Sequence, residues 1–103
     1  MDGQPIAVTV FQDAAIVTLR GEHEAYTAEK LAKQVTALID EGLPVTIDLR
    51  ETEFVDSTVV GVLLAGRRRA GERGTAFRLQ LGQETGWPVR RILEVTGLVD
   101  AFR

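Results

Sequence analysis

Three small polar residues, Asp56-Ser57-Thr58, interrupt two apolar runs, Phe54-Val55 before them and Val59-Val60-Gly-Val-Leu-Leu64 after. A carboxylate next to two hydroxyls has two uses. It can begin a helix, where a side-chain oxygen accepts a bond from amides that the first turn leaves unpaired. It can also hold a hydroxyl out for chemistry. A nucleophilic serine needs a base and an oriented partner for it. The only imidazole, His23, is far away in sequence, and the flanks of Ser57 lack the G-x-S-x-G elbow. Neither a glycine-rich phosphate loop nor a cysteine is present, which removes thiolate catalysis, disulfides and cysteine-held metals. The residues therefore favour a binding role over an enzymatic one, and they call for no cofactor and no metal.

The elements that must position this triplet can be read from periodicity. Val8, Val10 and Phe11, then Ala15 to Leu19, are two extended runs around a Gln12-Asp13 turn, which predicts an antiparallel hairpin. Ala28, Leu31, Ala32, Val35, Leu38 and Ile39 recur at helical spacing; Thr27 is suited to cap that helix, and Gly42 with Pro44 to end it. Val45 to Arg50 and Phe77 to Leu81 alternate apolar with polar residues, as half-buried strands do. Thr58 to Arg73 reads as a second helix stopped by Gly74, with Ser57 a candidate cap, and Pro88 to Thr96 as a third, with Gly97 past its end and Leu98 packing back.

The order β-β-α-β-α-β-α predicts one α/β domain over residues 1–103. Its mixed sheet of four to five strands would carry the helices mainly on one face, joined by right-handed crossovers. Asp56-Ser57-Thr58 then falls at the sheet edge where ligands of open α/β sheets gather. With 103 residues, 45% apolar and 26% charged, the chain has the balance of an ordinary globular protein. A net charge of −3 argues against direct nucleic-acid binding or attraction to anionic membranes, and the start MDGQPIAV lacks the blocks of a secretory signal, so a cytoplasmic location is expected. His23 is expected in an exposed loop, Trp87 under the third helix, and Arg67 to Arg69 on a solvated face.

Val45-Thr-Ile-Asp-Leu-Arg-Glu-Thr-Glu-Phe-Val-Asp-Ser-Thr-Val-Val-Gly-Val-Leu-Leu64 resembles the signature of STAS domains, and among them the bacterial anti-sigma factor antagonists. Leu19-Arg-Gly-Glu22 and Ile92-Leu-Glu-Val-Thr-Gly-Leu98 are similar to that family's motifs after the second strand and in the last helix, so the resemblance runs from about Val8 to Phe102. It implies that Ser57 is phosphorylated by an anti-sigma factor serine kinase with a histidine-kinase-like ATP site. It further implies that the phosphorylated form no longer binds this partner and that a serine phosphatase restores it. Asp56, Thr58 and Val59 beside the acceptor, with Glu22 and Glu24 from the neighbouring loop, are the partner contacts this resemblance implies. Val59 and Val60 stand where the family carries Gly-Leu, and Glu24 where it carries Asp. Other relatives in the same family are scaffolds of stress-sensing assemblies or regulatory subunits of lipid-transport ATPases that do not cycle through phosphate, which is the alternative function.

Overall fold

A hairpin opens the fold because Gln12 and Asp13 both adopt left-handed backbone, φ 53° and 63°. That pair of angles gives a two-residue turn whose twist matches its strands. The computed structural model describes residues 5–99; the end of the family resemblance, up to Phe102, lies outside them. Strand β1 (Ile6–Phe11) runs antiparallel to β2 (Ala14–His23). Helix α1 (Ala25–Asp40) carries the chain over to β3 (Val45–Val55), which is parallel to β2. Helix α2 (Ser57–Arg73) leads to β4 (Phe77–Gln80), parallel to β3, and α3 (Trp87–Val95) follows. The spatial order is β1-β2-β3-β4, a mixed four-stranded sheet of the α/β class expected from the pattern.

One sheet face builds the core. Ala15, Val17 and Leu19 lie in register with Val45, Ile47 and near Leu49, and all six are buried. Helices α1 and α2 pack on these strands and on each other, burying Leu31, Val35 and Ile39 from one and Val59, Val60 and Leu63 from the other. Each such side chain removed from water contributes roughly 1.5–3 kcal/mol before the cost of ordering. Helix α3 packs against β3 through Val89 and Leu93. Gly97 (φ 79°) and the Leu98 amide, which bonds Leu93 O, close that helix as expected.

Several expectations are corrected. Strand β3 runs on to Val55 because β2 keeps pairing with it through two irregularities, and Thr52 donates its hydroxyl to Leu19 O in a buried bond of 2.7 Å. Helix α1 starts at Ala25 with Glu24 at its cap position, and Thr27 lies inside the first turn, its amide donating to Glu24 O. His23 is the last residue of β2 and fully buried, not an exposed loop residue. Trp87 opens α3 and is 71% exposed, so it does not pack beneath that helix. Arg67 and Arg68 are exposed as expected, Arg67 bonding Gly97 O, while half-buried Arg69 pairs with Asp40 (2.7 Å). Asp48, which alternation placed on a wet face, is 5% exposed because Arg50 folds over it with bonds of 3.0 and 2.9 Å.

Candidate functional site at the start of two helices

Asp56, not Ser57, takes the N-cap position of α2. Its backbone is extended and Oδ1 accepts from the Val59 amide at 3.0 Å. The sequence offers no choice between the two, since Asp and Ser serve equally well as caps. The other carboxylate oxygen, Oδ2, accepts from the Ala25 amide at 3.1 Å, the first amide of α1. One side chain thus ties down the starts of both helices, and the two positive dipole ends converge beside it. The Asp56 amide donates to His23 O, which joins the end of β2 to the same point.

His23 braces this corner from below. Its Nε2 faces Arg20 O at 3.0 Å, and because a carbonyl only accepts, this nitrogen carries the proton of the neutral ring. Nδ1 is left to accept from the Thr27 hydroxyl at 3.1 Å. The end of β2 and the first turn of α1 are therefore pinned to one ring. No motif pointed to this role; a polar residue following a predicted strand reads as loop unless the strand is known to continue.

With the cap supplied by Asp56, Ser57 occupies the first turn of α2 and is exposed. Thr58 beside it is also exposed. The Val59 and Val60 amides are taken by the Asp56 side chain and carbonyl, so the Ser57 and Thr58 amides are the ones that point away from the helix. Glu22, paired with Phe54 in the sheet register, and Glu24, at the cap position of α1, are both exposed. The structure thus brings Ser57, Asp56, Thr58 and Glu24 to one corner, with Glu22 on the adjoining strand end. Val59 is the exception: it is fully buried in the core, so its side chain is not offered to a visiting protein. A β-branched residue here fills the space between α2 and the sheet, and its part in any contact is limited to backbone. Among the described residues no cluster of metal-ligating side chains occurs, and no helix is long and apolar enough to cross a membrane.

The parallel β2-β3 pair, the helix starting directly after β3 and the hydroxyl at its first residue define the class: a small α/β domain with an exposed serine at the head of α2. A family model described as "Mlab, STAS domain" matches residues 6–101, and the chain belongs to the STAS domain family. It is 32% identical over 87 residues to the anti-sigma-B factor antagonist of Listeria monocytogenes, covering 82% of this chain and 72% of that protein. The anti-sigma-B factor antagonist of Bacillus subtilis is 27% identical over 84 residues, covering 82% and 74%. Among solved structures, an anti-sigma factor antagonist from Mycobacterium paratuberculosis superposes with a TM-score of 0.76 at 26% identity, covering 90% of this chain and 77% of that one. The phosphorylated form of the Bacillus cell fate determinant SpoIIAA shares the fold, with a TM-score of 0.73 at 19% identity over 90% and 84% of the two chains.

Proposed function

We propose that the chain is an anti-sigma factor antagonist, a non-enzymatic binding domain acting in the cytoplasm, whose Ser57 hydroxyl is phosphorylated by an anti-sigma serine kinase and restored by a serine phosphatase. The observation that carries the reading is the division of labour at the head of α2: Asp56 supplies the cap, and Ser57 is exposed beside it. A hydroxyl spent on capping would have to leave its amide before it could react. Here the Ser57 oxygen attacks the γ-phosphorus of ATP on the kinase, its proton passes to a base of the kinase, and ADP leaves. The relatives named as anti-sigma-B factor antagonists support the same reading.

Phosphate would add about 1.5–2 negative charges at this corner. The Ser57 and Thr58 amides and the two dipole ends favour an anion, so the fold persists. Asp56, Glu22 and Glu24 make the docking face acidic already, and further charge meeting a partner's carboxylates is repulsive. About 3 kcal/mol of such repulsion lowers affinity roughly a hundredfold. The switch therefore acts on binding and not on folding.

The test is phosphate transfer from labelled ATP by the cognate anti-sigma kinase to the wild type, Ser57→Ala and Thr58→Ala. Label is expected on the wild type and Thr58→Ala and none on Ser57→Ala; equal labelling of all three would remove Ser57 from the mechanism. A second reading is favoured by the description of the matching family model as Mlab: a regulatory subunit of a lipid-transport ATPase that uses the same face without phosphate. Co-purification of such an ATPase without any sigma-regulating kinase would select it.

A further inference from the structure

The two edges of this sheet are unlike. Strand β4 is short and carries Arg78 at its centre, the usual protection of an exposed edge. Strand β1 has no such protection. Its sequence Ile6-Ala-Val-Thr-Val-Phe11 has no charge, its register with β2 is unbroken over every residue, and Val10 and Phe11 are 55% and 68% exposed. The Arg20 amide donates to Pro5 O across a directly opposed pair. Alternation along an antiparallel ladder then turns the amides and carbonyls of Ala7, Thr9 and Phe11 toward β2 and those of Ile6, Val8 and Val10 outward. This outward row has every donor present and no described strand beside it.

We propose that this edge is an interface with a second copy of the chain, the two β1 strands pairing antiparallel about a two-fold axis at Val8. The register follows from the outward row. Val8 faces Val8, and Ile6 faces Val10 of the other copy, with each facing pair able to exchange both of its hydrogen bonds. An odd-residue slip would oppose outward groups with inward ones, and other even slips leave part of the row unpaired. The side chains agree on both faces. On the helix-bearing face, β-branched residues oppose one another throughout, the kind of cross-strand pair that stabilises sheets. Val10 of one copy comes to rest against Ile6 of the other, at the mouth of a cleft lined by Pro5, Ile6, Tyr26, Thr27 and Lys30. Tyr26, almost wholly exposed in the single chain, borders that seat. On the opposite face Phe11 meets Pro5, and Thr9 meets Ala7.

Charge is complementary as well. The antiparallel register carries the hairpin tip with Asp13 of one copy to the Pro5 end of the other, where Lys30 borders the cleft. The axis repeats this contact on both sides, as an isologous interface requires. Two four-stranded sheets become one continuous sheet, and the two serine-bearing corners, which follow β3, stay outside the contact.

Sedimentation velocity over micromolar to millimolar concentrations tests the proposal on the wild type and two variants, and thiol oxidation tests the register on two more. The wild type is expected to form dimers; a monomer at every concentration overturns it. Val8→Pro removes the outward amide at the axis and leaves the β1-β2 ladder intact, because the Val8 amide points away from β2. Val10→Lys keeps every amide and sets a cation against Ile6 and Lys30 of the other copy. Each is expected to weaken dimerisation at least tenfold with an unchanged far-ultraviolet circular dichroism spectrum; a folded variant that dimerises like the wild type overturns the proposal. Should Val8→Pro not fold, Val10→Lys and cross-linking decide. The chain has no cysteine, so Val8→Cys gives a single thiol at the axis, within disulfide reach of its copy. Fast oxidation to a covalent dimer is expected for it and not for Trp87→Cys; equal rates for the two overturn the register.

Discussion

Asp56 makes two hydrogen bonds that a sequence motif does not distinguish from recognition. Its carboxylate caps α2 and holds the first amide of α1. Replacing a capping Asp by Ala costs about 0.5–2 kcal/mol, and two helices lose their anchor here, so Asp56→Ala is expected near the upper end of that range. Asp56→Asn retains one carbonyl oxygen and should recover about half; urea unfolding of the pair measures it. Asp48 carries a second residue-level expectation. The hydrogen bond from Arg50 is the main cause that holds its carboxyl below the ordinary value of 3.8, with burial opposing. A depressed folded value means the stabilisation is complete above the unfolded value and is lost as pH falls through the folded one. Wild-type stability should thus drop below about pH 3.8 more steeply than that of Asp48→Asn, as acid titration of the thermal midpoint will show.

Elements were legible wherever burial imposes a period. The stripe from Ala28 to Ile39 and the alternation from Val45 to Leu49 are both core faces in the structure. Their ends were less legible, because pairing between β2 and β3 holds Glu51 to Val55 extended although Glu51-Thr-Glu53 has the polar composition of a loop. The same hidden extension explains His23: a strand that continues buries a residue that composition alone leaves in water. Glycines show where elements touch. An added Cβ at Gly86 would overlap the Glu53 backbone carbonyl, so α3 can meet β3 only if this residue has no side chain. Gly86→Ala should destabilise by roughly 1–3 kcal/mol or more. At Gly61, exposed within α2, an added Cβ meets nothing within 4 Å. Gly61→Ala should therefore stabilise by about 0.5–1 kcal/mol, from the loss of chain freedom in the unfolded state. Chemical denaturation of the two variants gives opposite shifts.

For the whole molecule, the candidate site was legible as a stretch and not as an arrangement. Asp-Ser-Thr between apolar runs located the corner. Only the three-dimensional fold separates an exposed Ser57 from a capping Asp56 and removes Val59 to the core. The proposed switch predicts a separation between two measurements. Ser57→Glu should stay within about 1 kcal/mol of the wild type in unfolding, since a charge at a helix start is worth only about 0.3–1 kcal/mol. Its affinity for the anti-sigma kinase should fall roughly a hundredfold. Calorimetric melting alongside titration of the kinase reads both.

The twofold engagement of Asp56 bears on how any alanine scan of this face must be interpreted. A variant there slackens the scaffold as it strips a charge, so weakened docking would report on architecture and contact together. Thr58, Glu22 and Glu24 lack that entanglement with both helix starts, and they are the positions from which the proposed docking face can be tested and mapped.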